Sequence, residues 1–211
     1  MIEAISDAVQ VLVLTVSLGL SLMRALSPRN TAWLSLACFF SCMLFGDAYY
    51  FGYQMLFGET PHYSVIADVS WIASYLFLLM LLIECHQQRP ISAPVPAAWI
   101  PVVVCVACGI YYTVSFGDLL INIADNGLLA AIGYFAVLGL VAQPTKGLAG
   151  NRLFYAAILF FIAVEQAVWL SSCFIDWAAL GATLIPYVVS NYVLSLSMAL
   201  ILACAWRSDA T

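Results

Sequence analysis

An all-α polytopic membrane protein, a bundle of seven transmembrane helices, is the fold class that the sequence predicts, and three observations predict it. Of the 211 residues, 65% are hydrophobic and only 8% are charged, whereas soluble domains carry about 25% charged residues. Seven apolar runs each reach the length of about 20 residues that a helix needs to cross a hydrocarbon core. All six cationic side chains fall at alternate loops along those runs, so the folded chain has one basic face.

The first run, 5–25, follows an acidic start that includes Glu3 and Asp7. A secretory signal opens with a positive region, so this run is expected to stay in the protein as a helix. Ser27-Pro28-Arg29-Asn30 breaks it. The second run, 31–55, and the third, 63–85, meet at Gly58-Glu59-Thr60-Pro61-His62. A breaker-rich segment from Gln87 to Pro96 leads to the fourth run, 95–115, and Gly117 separates that from the fifth, 118–142. Segments from Pro144 to Asn151 and from Asp176 to Gly181 lead to the sixth run, 152–175, and the seventh, 180–205. No linker is long enough to divide the chain, so residues 1–211 are expected to form a single domain.

Orientation follows from charge. Arg24 and Arg29 flank the first loop, Arg89 lies in the third, Lys146 and Arg152 in the fifth, and Arg207 in the tail. Loops rich in Lys and Arg stay on the cytoplasmic side. The expectation is N-terminus outside and C-terminus cytoplasmic, in a bacterial cytoplasmic membrane. Trp33, Trp99, Trp177 and Trp206 fall near the ends of runs and are expected as interfacial anchors.

Against this apolar background four carboxylates stand out: Asp47, Asp68, Asp125 and Glu165. A carboxylate at the centre of a membrane helix costs about 2.5–3.5 kcal/mol on insertion scales, so each is a functional hypothesis by default. Counting residues places Asp47, Asp68 and Asp125 in the outer half and Glu165 near the midplane. Helical spacing groups Asp47 with Tyr50 and Gln54, and Asp68 with Trp71 and Tyr75. It groups Asn122 with Asp125 and Asn126, Glu165 with Trp169 and Ser172, and Tyr187 with Asn191. Polar groups in lipid face the bundle interior or a wet cavity. The expected site is therefore an outward-opening pocket lined by Asp47, Tyr50, Gln54, Asp68, Trp71, Tyr75, Asn122, Asp125, Glu165, Trp169, Tyr187 and Asn191. The inner halves of the same runs are nearly pure Leu, Ile, Val, Ala and Phe, which predicts a closed floor.

Several chemistries are excluded. The last run has no lysine to form a retinal Schiff base. His62 and His86 lie at opposite ends of the third run and cannot share a metal within one subunit. No serine has a histidine or lysine base within the membrane. Lys146-Gly147-Leu148-Ala149-Gly150 lacks the spacing of a phosphate loop. Cys105 and Cys108 have no second pair to complete a zinc site, and the seven cysteines are expected as small hydrophobes. With a net charge of −5 and no basic surface, nucleic acid is not an expected partner, and no cofactor is predicted. Carboxylates without a buried cation can hold protons, bind a hard metal ion, or bind an organic cation with aromatic help. They can also act as glue between helices.

The 44–82 stretch carries Gly46-Asp47, Tyr49-Tyr50, Gly58-Glu59, Pro61, Ser64, Ala67-Asp68, Trp71 and Tyr75 in that order. In this it resembles the seven-helix membrane sensor region found at the N-terminus of some bacterial diguanylate cyclases and histidine kinases. That resemblance implies a free-standing sensor module that binds a small molecule or cation and signals to a separate protein partner or within a homo-oligomer. Cys42-Met43-Leu44-Phe45-Gly46-Asp47 is similar, more weakly, to a glycine–aspartate segment of lysoplasmalogenase-like membrane hydrolases, which usually have eight spans. A receptor-like sensor embedded in the lipid bilayer is thus the leading reading. A carboxylate-dependent lipid hydrolase is the first alternative, and a small-solute or proton-coupled transporter the second.

Overall fold

A computed structural model describes residues 2–26, 31–58, 61, 65–88, 94–142, 147–174 and 184–208. Among them are seven α-helices: α1 (Ile2–Ala25), α2 (Thr31–Phe57), α3 (Val65–Gln87), α4 (Trp99–Phe116), α5 (Leu119–Val141), α6 (Arg152–Ser172) and α7 (Leu184–Ser208). All seven are long and apolar enough to cross a membrane, as a helical membrane bundle requires.

Local chemistry sets the ends. The backbone N–H of Gly117, at a φ of 87°, bonds back to the Thr113 carbonyl and closes α4. That left-handed conformation is open to glycine at little cost. Pro96 opens a short 3-10 turn, Pro96–Ala98, so α4 proper begins at Trp99 rather than at 95. Asn151 caps α6, its Oδ1 accepting from the backbone N–H of Leu153 at 3.0 Å and of Phe154 at 3.4 Å. The same side chain donates from Nδ2 to the Cys204 carbonyl at 2.8 Å and to Ser208 Oγ at 2.6 Å. One amide thereby starts α6 and fastens it to the end of α7. The sixth helix stops at Ser172, short of the expected 175, while α7 runs on to Ser208, past the expected 205.

Helix neighbours do not simply follow chain order. α1, α2, α3, α5, α6 and α7 pack in a closed ring, and α4 lies outside it, mainly against α5. Hence α4 is the most exposed of the seven, with Ile100, Val103, Val106, Ile110 and Val114 pointing away from the protein. Inside the ring, Leu14, Phe39, Phe40, Met43, Leu78, Phe161 and Met198 are fully or almost fully buried. Phe39 meets Phe161 edge-on at 5.9 Å, which joins α2 to α6 across the ring.

The described cations Arg24, Arg152 and Arg207 lie at or near one end of the bundle, at the ends of α1, α6 and α7. Trp99 is exposed, as a membrane anchor should be, but Trp33 is not. It is 3% exposed and packs edge-on against Trp206 at 5.8 Å, so this tryptophan is core rather than anchor. Trp177 lies outside the described residues. His86 is half-buried and packs against the Phe135 ring at 5.4 Å.

Candidate functional site

The site builds from Asp47, which the periodicity of α2 turns into the ring. Its carboxylate takes two donors from two other helices. Gln10 Nε2 of α1 donates to Oδ2 at 2.7 Å, and the Trp71 indole N–H of α3 donates to Oδ1 at 2.9 Å. Gly46 makes room for the indole: a Cβ there would sit 2.6 Å from Trp71 Nε1. One turn after Trp71, the Tyr75 hydroxyl donates to Glu165 Oε1 of α6 at 2.7 Å. The Trp169 indole N–H faces the same carboxylate from one turn further along α6. The rings connect the two acids. Tyr50 lies against Trp71 at 6.0 Å, and Trp71 meets Trp169 edge-on at 6.4 Å.

A second polar cluster adjoins the first through residue 166. The Gln166 amide donates to Asn126 Oδ1 of α5 at 3.0 Å, and Asn126 Nδ2 donates back to the Asn122 carbonyl at 3.1 Å. The Tyr112 hydroxyl of the outlying α4 donates to the Gln166 backbone carbonyl at 2.9 Å and lies 3.1 Å from its Oε1. These bonds hold α4 against the ring. Asp125, on the same turn of α5, is within electrostatic reach of Glu165 and Asp68.

Most of the predicted residues are therefore brought together. Asp47, Tyr50, Trp71, Tyr75, Glu165 and Trp169 form one connected group over α2, α3 and α6. Asn122, Asp125 and Asp68 are buried beside it on α5 and α3. Gln54 lies one turn past Tyr50, its Oε1 buried without a hydrogen-bond partner. On α7, Asn191 is buried and its backbone carbonyl accepts from Ser195 Oγ at 3.0 Å, with Tyr187 half-buried one turn earlier. Three members were not anticipated: Gln10, Tyr112 and Gln166. Gln10 is the single amide in the first apolar run, and that could have marked it. Tyr112 had no such signal, because its partner lies on a helix 54 residues away.

Two features describe the chemistry available. Asp47 is satisfied: both of its oxygens have donors. Asp125 Oδ1 and Glu165 Oε2 are buried and accept no hydrogen bond, and the Asn122 amide nitrogen donates none. Among the described residues, no three His, Cys, Asp or Glu side chains form a group able to hold a metal ion. A small cavity bounded by Leu82, Cys85, His86, Phe135, Leu138, Gly139, Ala142 and Tyr155 lies between α3, α5 and α6, at the end of the bundle remote from Asp47, Asp68, Asp125 and Glu165. Comparison of the chain with protein-family models, with curated proteins and with solved structures finds no match.

Proposed function

We propose that the chain is a receptor-like sensor of the bacterial cytoplasmic membrane, N-terminus outside and C-terminus cytoplasmic. In this reading it binds a small organic cation between α3, α5 and α6, in the half of the bundle away from its basic end, and signals to a separate membrane partner. The observation that carries this is the pair of unpartnered buried carboxylate oxygens, Asp125 Oδ1 and Glu165 Oε2, on adjacent helices. An unsatisfied buried acceptor costs about 1–3 kcal/mol, and more when charged. A protonated amine would supply the missing donors. Trp169 faces Glu165, and Trp71 meets its ring edge-on at 6.4 Å, so these rings would add cation–π attraction.

Signalling would run through α6. It touches α3 through Tyr75–Glu165 and Trp71–Trp169, and it reaches the basic end through the Asn151 link to α7. A ligand that binds two helix packings with different affinity shifts the balance between them. The fully buried Phe39, Phe40, Leu78, Phe161 and Met198 below the acids favour a closed floor over a transport path.

The test is thermal unfolding of the detergent-purified chain against amines, polyamines and divalent cations, repeated on Asp125→Asn and Glu165→Gln. Saturable stabilisation by one amine class, lost in both variants, supports the proposal. Absence of any ligand effect, with both variants clearly less stable than the parent, would reduce these acids to helix contacts, and variants as stable as the parent would make them neither site nor contact.

A further inference from the structure

At the opposite end of the bundle, we propose a second site, for a phosphate ester, in the seam between α1 and α7. The guanidinium carbon of Arg24 lies 4.0 Å from the centroid of the Trp206 ring. Trp206 is itself braced edge-on by the buried Trp33 of α2 at 5.8 Å. The ring contact holds the guanidinium in place beside the α1–α7 seam, and a guanidinium so held can grip phosphate oxygens in pairs.

The donors here lack acceptors. Arg24 Nε is buried and makes no hydrogen bond. Ser21, three residues earlier on the same face of α1, is 0% exposed, and its Oγ also has no partner. The described acid at this end, Glu84, is engaged elsewhere, accepting from Thr31 Oγ1 at 2.8 Å between α2 and α3. A cation stacked on an indole, with an unpartnered hydroxyl on its own helix face, is short of one thing: an anion with several acceptor oxygens. Arg207, next to Trp206 in the chain, is exposed at the same end and adds positive field. In a membrane-spanning bundle these residues stand at the headgroup level, where a lipid phosphodiester is the concentrated source of such oxygens. Free phosphate shares the same chemistry.

The experiment places the full chain in nanodiscs of phosphatidylcholine alone or mixed with phosphatidylglycerol, and in detergent with inorganic phosphate. Bound lipid is counted by native mass spectrometry, and unfolding temperature is measured in each medium. Phosphatidylglycerol should be retained and should stabilise the parent, with affinity falling about tenfold or more in Arg24→Gln, as loss of a charge-assisted bond implies. Ser21→Ala, a small change that leaves the Trp206 stack in place, should weaken retention less. Arg24→Lys should fall between parent and Arg24→Gln. A phosphate-dependent rise in unfolding temperature in detergent, lost in Arg24→Gln, would assign the site to free phosphate. Equal lipid retention by parent, Arg24→Gln and Ser21→Ala, with no phosphate effect, overturns the proposal. Unfolding temperatures in phosphatidylcholine alone separate lost binding from lost fold.

Discussion

The Trp71 indole N–H donates to Asp47 Oδ1 at 2.9 Å, joining the facing surfaces of α2 and α3 across 24 residues of chain. It places an aromatic ring between two acids, Asp47 on one side and the Glu165–Trp169 turn of α6 on the other. The bond and the ring contacts are separable by mutation. Trp71→Phe keeps most of the ring and removes the donor. It should destabilise the purified protein by about 1 kcal/mol, since hydrogen bonds between membrane helices average less than their soluble counterparts. Combined with Asp47→Asn in a double-mutant cycle, the coupling should be about 0.5 kcal/mol or more. A coupling of zero would mean that the bond contributes nothing to stability.

Gly46 should be intolerant where Gly52, six residues on, is not. A methyl group at 46 meets Trp71 Nε1 at 2.6 Å and Cδ1 at 2.9 Å, while at 52 nothing lies within 4 Å. Alanine gains up to about 1 kcal/mol in helix propensity at either position. At 46 that gain is outweighed by displacing a packed indole, at about 1–3 kcal/mol. Gly46→Ala should therefore lower the unfolding temperature and shift tryptophan emission. Gly52→Ala should leave emission unchanged and stability equal or higher.

Tyr75→Phe isolates the second acid. It removes the donor to Glu165 Oε1 and retains the ring contact with Phe161 at 6.3 Å. Neither Glu165 oxygen would then have the tyrosine as donor, and the loss should be about 1–3 kcal/mol. Glu165→Leu on the Tyr75→Phe background removes the stranded carboxylate and should restore most of that stability. Failure of the second change to restore it would locate the effect in packing rather than in the carboxylate.

Asn151 does two jobs, and two substitutions divide them. Asn151→Asp keeps the oxygen that caps α6 and removes the amide that reaches Cys204 and Ser208. Asn151→Ala removes both. Loss of a cap alone costs about 0.5–2 kcal/mol, so Ala should be the more destabilising of the two. Asp should instead show faster hydrogen exchange at the C-terminal turn of α7. Equal exchange in parent and Asp would mean the α6–α7 link does not secure that turn.

Much of this molecule was legible along the chain. The number and type of helices followed from apolar length, and glycine, proline and Asn151 marked most of the ends. The pairing of Asp47 with its own turn of aromatics was legible too, because helical spacing fixes which residues share a face. Trp33 is core although its place near a helix end predicts an anchor: that place says nothing of which way the ring turns, and the ring turns inward to Trp206. Gln10, Tyr112 and Gln166 carry no clear signal along the chain for a related reason. A single polar residue in an apolar run gains meaning only from its partner, and theirs lie 37 to 54 residues away.

The sequence by itself determined seven apolar helices, the angular position of each acid about its own helix axis, and the gathering of the described cations at one end. These are local quantities, set by hydrocarbon length, by 3.6-residue periodicity and by the backbone preferences of glycine and proline. Tertiary structure alone decided that α4 stands outside a six-helix ring and that α3 neighbours α5. It also decided that Asp47 is satisfied while Asp125 and Glu165 keep bare oxygens. Those facts depend on which helix stands opposite which. Apolar helices of similar composition give little sequence signal for that choice, because it is made by a few hydrogen bonds and by close approach at residues such as Gly46.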